Sequence, residues 1–389
     1  MSLPVPDTDA LACSATLTRH ITVEIGRAGG WIGFDRFMEL ALYTPGMGYY
    51  SGGARKFGVA GDFITAPELS STFSQTLAAQ VAQFLTLGLT QIVEVGAGSG
   101  RLAADLLLEL EQRNALPEGY GILDLSGELR ARQQQTIADR APHLLDRVHW
   151  LDCLPENFNG LVIANELLDA MPVHLVVWRD DENGQCISER GVSVHDGQFA
   201  WEDRPASGYL LERARLLASE QAIPSGYLSE ICLAAPAWVS AWAGILGHGA
   251  LLLIDYGFPR REYYHPQRDA GTLMCHYRHH SHSEPFYLPG LQDITAHVDF
   301  TAIVEAGCAA GLDFLGYTTQ ATFLFNCGLT EVLARVSADD ATRYLPLANA
   351  AQKLVSPAEM GELFKVIALG KGITEPLIGF QHGDRSATL

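Results

Sequence analysis

The chain has 389 residues, 48% of them hydrophobic, which is enough to bury at least one large core. Its 45 acidic residues outnumber its 26 basic ones, and the net charge of −19 argues against binding along a nucleic-acid backbone. The seven cysteines include no CxxC pair, and no apolar run approaches the ~18 residues of a membrane span. We therefore expect a globular, cytoplasmic protein of bacterial type without a signal or transit peptide.

The N-terminal part of the sequence predicts a cap in front of the main domain. Residues 1–17 are expected to be disordered, and residues 18–87 look helical at both ends with a glycine-rich centre. The main domain is expected at 88–375, followed by a C-terminal tail at 376–389.

Short apolar runs alternate with helical patterns in this main domain, which is typical of an α/β fold with a parallel sheet. The seven runs lie at 92–95, 120–125, 148–151, 161–164, 250–254, 312–318 and 364–369. The turn-rich segment 172–235 predicts a β-hairpin insertion, and 320–362 predicts a helical insertion.

A glycine-rich loop between the first apolar run and an amphipathic helix is the strongest functional signal. Its candidate cofactor-binding residues are Glu94, Gly96, Ala97, Gly98 and Gly100. Arg101 stands where a dinucleotide fingerprint needs a small residue, and Glu94 would lie near a pyrophosphate. A carboxylate instead suits the α-ammonium group of S-adenosylmethionine, with an ordinary glycine turn as the alternative.

Carboxylates also end the next two predicted strands, at the edge where open α/β sheets bind ligands. Asp124 follows Gly100 by 24 residues, close to the ~20-residue spacing of an acid that contacts ribose, and Asp152 could accept from an adenine amino group. Turn or capping roles are the alternative for each acid. The neighbouring residues expected to contact the cofactor are Leu125, Ser126, Cys153 and Leu154.

After the fourth run, Asn165, Glu166 and Asp169 offer polar groups at the same edge, and Asn165 is expected to contact the cofactor. Because Glu166 and Asp169 are three residues apart, a helical turn would place both carboxylates on one face, where they could orient a cationic acceptor and take its proton. We expect these two acids to be catalytic, and helix capping is the alternative.

Two other polar segments have open interpretations. The histidine-rich run 275–282 is interpreted as a polar surface loop and not as a metal site, because metal sites usually add ligands from elsewhere with fixed spacing. Residues 293–300 form either a helix start or a second polar edge of the pocket.

Longer strings across residues 18–380 resemble the MidA-type methyltransferases, a family that includes the mitochondrial arginine methyltransferase assisting respiratory complex I assembly. Besides the glycine loop, these strings lie at 37–38, 41–45, 48–50, 61–70, 165–170, 254–257, 271–273 and 293–300. The resemblance implies a Rossmann-like class I sheet of seven strands, mostly parallel with one antiparallel strand. It also implies S-adenosyl-L-methionine as donor, S-adenosyl-L-homocysteine as product, and a protein substrate bearing a target arginine, on a complex I subunit in the mitochondrial member.

The sequence departs from the family at two places. Asp124 stands where members often carry Glu, but either carboxylate can accept from a ribose hydroxyl. The loop 274–289 is closer to bacterial members, which leaves the target protein open. The alternatives to a protein acceptor are a small-molecule methyltransferase and a non-catalytic assembly chaperone that binds S-adenosylmethionine.

The segment 61–70, arriving from the cap, is expected to close over the cofactor and exclude water. The residues assigned to this lid and to the substrate contact are Gly61, Asp62, Phe63, Thr65, Pro67 and Glu68.

Overall fold

The computed structural model describes residues 3–52, 65–182 and 184–389. Within these ranges the strands are β1 (Trp31–Gly33), β2 (Gln91–Val95), β3 (Gly119–Leu123), β4 (Val148–Leu151), β5 (Phe158–Asn165), β6 (His174–Asp181), β7 (Gly184–His195), β8 (Gln198–Pro205), β9 (Tyr227–Ile231), β10 (Leu246–Phe258), β11 (Met274–Tyr277), β12 (His280–His282), β13 (Asp293–Thr295), β14 (Val298–Asp299), β15 (Asp313–Thr319) and β16 (Phe364–Lys371).

The same ranges contain α-helices and short 3-10 turns. The helices are α1 (Thr8–Arg27), α2 (Phe34–Tyr43), α3 (Ala66–Leu69), α4 (Ser71–Thr86), α5 (Arg101–Gln112), α6 (Gly127–Arg140), α7 (Gly208–Glu220), α8 (Ala234–Ile245), α9 (Arg260–Tyr263), α10 (Phe300–Ala309), α11 (Gln320–Asn326), α12 (Leu329–Leu333) and α13 (Ala341–Val355). The 3-10 turns are Pro142–Arg147, Ile378–Phe380 and Ser386–Thr388.

The central sheet has the strand order β15-β16-β10-β5-β2-β3-β4, and the short β14 pairs with the end of β10. β16 is antiparallel to both of its neighbours, whereas β10, β5, β2, β3 and β4 pair in parallel. The prediction of a seven-stranded, mostly parallel sheet with one antiparallel strand is therefore confirmed.

Two hydrophobic cores cover the two faces of this sheet. Alternate residues of β10 point to opposite sides: Leu252 packs in one core and Leu251 in the other, and both are fully buried. A strand buried on both faces reads as a continuous apolar run, because each of its two faces meets helices instead of water. This explains why the central strands can be found in the sequence as uninterrupted apolar runs.

Helix α4 belongs to the layer that covers the sheet, although the sequence places it in the cap. Phe73, Leu77 and Phe84 are buried in the same core as Leu106 of α5. The part that stands apart from the sheet consists of α1, β1 and α2, and it ends before α3.

The segment 172–235 holds a larger structure than the predicted hairpin. Its strands β6, β7, β8 and β9 form an antiparallel sheet, which β1 joins through β7. The histidine-rich run also differs from the predicted surface loop, because β11 and β12 form a hairpin that pairs with β13. In both places, partners distant in the sequence complete the sheets.

Both ends of the chain are better ordered than the sequence suggests. Helix α1 begins at Thr8, since Asp7 Oδ1 accepts the Ala10 N–H at 2.8 Å, and Leu17 is fully buried. The predicted disorder of 1–17 therefore does not hold beyond residue 7. In the tail, Leu377 and Phe380 pack into the main core. None of the helices in the described part of the chain is both long and apolar enough to cross a membrane.

The packing of α4 can be tested by removing one buried ring. Phe84→Ala is expected to lower the free energy of unfolding by about 3–5 kcal/mol, because it leaves a cavity between α4 and the sheet. Phe325→Ala, at a side chain 52% exposed on α11, is the matched control and should cost under about 1 kcal/mol. Urea unfolding followed by circular dichroism measures both. Equal losses would contradict the placement of α4 in the sheet layer.

Candidate active site

A cleft of about 1020 Å³ opens at the carboxyl ends of the parallel strands. Most residues predicted to bind a ligand line it, and they come from four neighbouring strand ends and from the segment 65–68. The predicted residues in its wall are Thr65, Pro67, Glu68, Glu94, Gly96, Ala97, Gly98, Asp124, Leu125, Ser126, Asp152, Cys153, Leu154, Asn165 and Glu166. Gly100 and Asp169 are not in this wall, and Gly61, Asp62 and Phe63 lie outside the described residues.

Gly100 supports the glycine loop from behind. It caps the start of α5 in the left-handed conformation, with φ +81°, and a Cβ atom there would lie 2.8 Å from the Gln133 Cα. Only glycine allows α5 and α6 to approach this closely. Gly100 thus shapes the loop, while Gly96, Ala97 and Gly98 face the cleft.

Glu94 at the end of β2 is buried at the base of the cleft. Burial raises its pKa to about 7, although the Tyr120 hydroxyl donates to Glu94 Oε2 at 2.6 Å and opposes this shift. A buried carboxyl group with this pKa gains a strong partner when a cationic group enters the cleft.

Asp124 at the end of β3 is held by a network centred on Gln133. The Gln133 amide donates to Asp124 Oδ2 at 2.8 Å and to the Gly98 carbonyl at 3.2 Å, and its oxygen accepts the Trp150 indole N–H at 2.9 Å. Burial raises the pKa of Asp124, while the Ser126 N–H, donating at 3.1 Å, opposes that effect. Gln133 therefore joins the glycine loop to the ends of β3 and β4, a role that no local sequence pattern predicts.

The wall beyond Asp124 is more exposed. The Asp152 side chain is 89% exposed and pairs with Arg130 at 2.6 Å, and Leu125 is 87% exposed although it lines the cleft. An exposed apolar side chain beside a carboxylate can cover one face of an aromatic ring while the carboxylate accepts from its amino group.

Glu166 enters the cleft from a strained turn after β5. Its φ is +51°, its N–H donates to the Ile254 carbonyl at 2.9 Å, and its Oε1 accepts from the Ala66 N–H and the Asn165 amide, each at 3.2 Å. Burial raises the pKa of Glu166 to about 8, and the charge of Asp169 adds to this shift. The carboxyl group is therefore mostly protonated at neutral pH until a cation binds beside it.

Asp169 is buried and does not line the cleft. Residues 166–169 form an irregular turn, so the predicted helical turn with both carboxylates on one face does not form, and Asp169 does not cap a helix there either. Burial raises the pKa of Asp169 to about 6, with a hydrogen bond from Tyr256 opposing the shift. Among the described residues its Oδ1 has no hydrogen-bond partner.

Segment 65–69 contacts both halves of the cleft. The Ser99 hydroxyl of the glycine loop donates to Glu68 Oε1, while the Ala66 N–H donates to Glu166. The described part of the predicted lid thus lies against the cleft.

Two tyrosines in the wall were not assigned from the sequence, although both lie in the strings 41–45 and 48–50. Tyr43 and Tyr50 stack with ring centroids 5.5 Å apart. The Tyr43 hydroxyl donates to the Ala170 carbonyl at 2.8 Å, and the Tyr50 hydroxyl contacts Asp293 at 2.9 Å. Asp299 caps α10, which confirms the interpretation of 293–300 as a helix start. None of these residues lies in the wall of the cleft, although Asp293 contacts the wall residue Tyr50.

The charge of the cleft is strongly one-sided. Among the described residues its wall contains one histidine, His174, no lysine or arginine, and seven carboxylic acids: Asp35, Glu39, Glu68, Glu94, Asp124, Asp152 and Glu166. His174 lies 3.4 Å from Asp35, and Arg36 and Arg130 pair with Glu39 and Asp152 from outside the wall. Such a cleft favours cationic ligands.

The sheet order, the glycine loop after β2 and the acids on successive strand ends define a class I S-adenosylmethionine-dependent methyltransferase fold. A family model for S-adenosyl-L-methionine-dependent methyltransferases matches residues 76–318. The chain belongs to this family, which confirms the resemblance found in the sequence.

Solved structures and curated relatives agree with this assignment. A crystal structure from Burkholderia thailandensis, bound to S-adenosyl-homocysteine, is 55% identical, with a TM-score of 0.95 and 100% coverage of both chains. The mitochondrial protein arginine methyltransferase NDUFAF7 of Danio rerio is 27% identical, over 91% of this chain and 86% of the relative. The Mus musculus protein of the same name is 28% identical, over 91% and 84%. S-adenosylmethionine is the cofactor, and the donors and acceptors in the cleft suit its charged and polar groups.

The position of the cofactor can be tested at Gly98, which has φ +54° and lines the cleft. Gly98→Val is expected to weaken S-adenosylmethionine binding roughly tenfold or more, because the side chain strains the loop and fills space beside its backbone. Gly197→Val is the matched control, since Gly197 has φ +77° in a turn with nothing within 4 Å of an added Cβ. Isothermal titration compares the two variants. An equal loss of affinity would place the cofactor elsewhere.

Proposed function

We propose that the protein transfers the methyl group of S-adenosylmethionine to an arginine side chain of a protein substrate. The observation that carries this proposal is the acid-lined cleft with the partly buried Glu166 in its wall. A guanidinium is a permanent cation with a fixed set of donors that match a carboxylate. The cleft of about 1020 Å³ lies at the upper end of the roughly 300–1000 Å³ range of ligand pockets, as expected for a site that holds an acceptor beside the cofactor.

The relatives support the same acceptor class. NDUFAF7 proteins are named protein arginine methyltransferases, and this chain matches most of their length. The sequence resembles a family whose mitochondrial member acts on a complex I subunit. We therefore propose a subunit of a respiratory complex as the class of target.

The cofactor contacts follow from the order of the strand ends. We assign Glu94 to the α-ammonium group, Asp124 to the ribose hydroxyls and Asp152 to the adenine amino group. When bound, S-adenosylmethionine supplies an electrophilic methyl group on a sulfonium.

Glu166 acts on the acceptor. A guanidinium is protonated below pH ~12 and is a poor nucleophile in that form. Its arrival lowers the pKa of Glu166 from about 8, so the carboxyl group ionises, orients the guanidinium and then accepts the proton that leaves the nitrogen as the new N–C bond forms. Asp169 acts from behind the wall, since its charge raises the pKa of Glu166.

The function is tested by incubating the protein and methyl-tritiated S-adenosylmethionine with a lysate from cells that lack this protein. Label that precipitates with protein and is recovered as methylarginine after hydrolysis is the expected result. Label in acid-soluble compounds would support the small-molecule alternative. If the protein binds the cofactor but transfers no label, the result would support the alternative of a non-catalytic assembly chaperone.

The role of Glu166 is tested by Glu166→Gln, which keeps the shape of the side chain but removes its charge. Methyl transfer is expected to fall roughly 100-fold or more, while the cofactor dissociation constant stays within about threefold. Glu39→Gln removes a carboxylate from the more exposed part of the same cleft and should change transfer by less than about tenfold. Unchanged transfer in Glu166→Gln would refute its role.

The role of Glu94 predicts a pH dependence for cofactor binding. Its pKa of about 7 lies above the usual value, so the group loses its charge as the pH falls through 7, and the attraction for the ammonium group is lost with it. The affinity for S-adenosylmethionine is therefore expected to fall about fivefold between pH 7 and pH 6, because the ionised fraction falls from about one half to about one tenth. Titration calorimetry at pH 8, 7 and 6 measures this change. A Glu94→Gln variant should lose the dependence, and a dependence that persists in it would assign the effect to another group.

A further inference from the structure

Asp255 on β10 binds the turn that carries Glu166. Its Oδ2 accepts three successive backbone N–H groups, from Leu167 at 3.1 Å, Leu168 at 2.8 Å and Asp169 at 3.3 Å. Its Oδ1 accepts the Tyr256 N–H at 2.8 Å. Consecutive N–H groups that converge in this way form an anion-binding concavity, and here a side chain of the protein itself occupies it.

The conformation of Glu166 makes this anchor necessary. A glutamate with φ +51° occupies a backbone region that is unfavourable for a residue with a side chain, and this conformation persists only where the surroundings hold it. The Ile254 carbonyl holds the Glu166 N–H, and Asp255, the next residue of β10, holds the three N–H groups that follow. The end of one strand thus determines where the preceding turn points its carboxyl group.

Asp255 does not contact the ligands directly. It is 1% exposed and is not in the wall of the cleft. All of its hydrogen bonds named above are to backbone N–H groups of the turn and of β10. Asp255 can therefore affect the reaction only by changing the conformation of the turn.

We propose that Asp255 is a positioning residue, which holds residues 166–169 in the one arrangement that directs the Glu166 carboxyl group at the acceptor. The inference rests on the proposed role of Glu166. The substitution Asp255→Asn keeps the shape of the side chain but replaces one of its two accepting oxygens with an NH2 group, which cannot accept from the N–H donors that face it.

The first experiment follows methyl transfer in a double-mutant cycle with the full-length protein. Asp255→Asn is expected to lower kcat roughly 100-fold and leave the KM for S-adenosylmethionine within about threefold, as for a displaced catalytic group. Because Asp255 acts through Glu166, adding Asp255→Asn to Glu166→Gln should reduce kcat by no more than about threefold further. Losses that multiply, to roughly 10⁴-fold, would overturn the proposal, since a general structural role is independent of Glu166.

The second experiment needs no acceptor and separates this inference from the proposed function. Hydrogen–deuterium exchange is measured on a peptide covering residues 165–171, where Asp255→Asn should speed exchange roughly tenfold or more while β10 stays protected. Unchanged exchange would overturn the anchor even if arginine is the acceptor. If exchange is faster in Asp255→Asn but Glu166→Gln keeps full activity, the proposed function of Glu166 is refuted and the role of Asp255 as an anchor of the turn still holds.

Asp299→Asn is the matched control. Asp299 Oδ1 likewise accepts two backbone N–H groups, of Thr301 and Ala302, but at the start of α10. This variant should speed exchange at 300–303, leave 165–171 unchanged and keep kcat within about threefold. Equal effects of the two variants at 165–171 would assign the change to general destabilisation and contradict the specific role of Asp255.

Discussion

The cost of removing carboxylates from water governs the organisation of this cleft. A buried carboxylate needs hydrogen-bond donors or a cation, because the low polarity of the interior disfavours its charged form. No lysine or arginine is present among the described wall residues, so backbone N–H groups, the Tyr120 hydroxyl and the Gln133 amide supply donors. The charge that these donors leave uncompensated is available to the cationic cofactor and, in the function we propose, to a cationic acceptor.

The sheet supplies the rigidity that this arrangement requires. Parallel strands end at one edge, so Glu94, Asp124 and Asp152 meet although the chain separates them by whole helices. The two cores that cover the faces of the sheet hold those strand ends in place, and Gln133 and Asp255 then fix the loops that extend from them. Binding geometry therefore depends on packing well away from the cleft.

Sequence reasoning succeeded where the signal is local or follows from strand order. The buried strands read as apolar runs, and the acids at their ends could be placed on one edge without coordinates. It failed where a distant contact decides the conformation. Asp169 was expected beside Glu166, but the turn follows the path set by Asp255, far along the chain. Tyr50 reaches the cleft wall through Asp293, and α1 is ordered by packing against α2, contacts that no short pattern encodes.

Segment 65–69 contacts the glycine loop through Glu68 and, through Ala66, contacts Glu166, to which we assign the acceptor. Because this short segment contacts both proposed ligand sites, binding at one site can change the binding free energy at the other. Thermodynamic linkage then requires the effect to be mutual: by whatever factor bound cofactor strengthens the hold on the acceptor, bound acceptor strengthens the hold on the cofactor. Transfer of the methyl group removes the positive charge of the sulfonium from the cofactor. Because binding at the two sites is linked, this change also alters the affinity for the methylated acceptor, and so it connects the completed reaction to the release of both products.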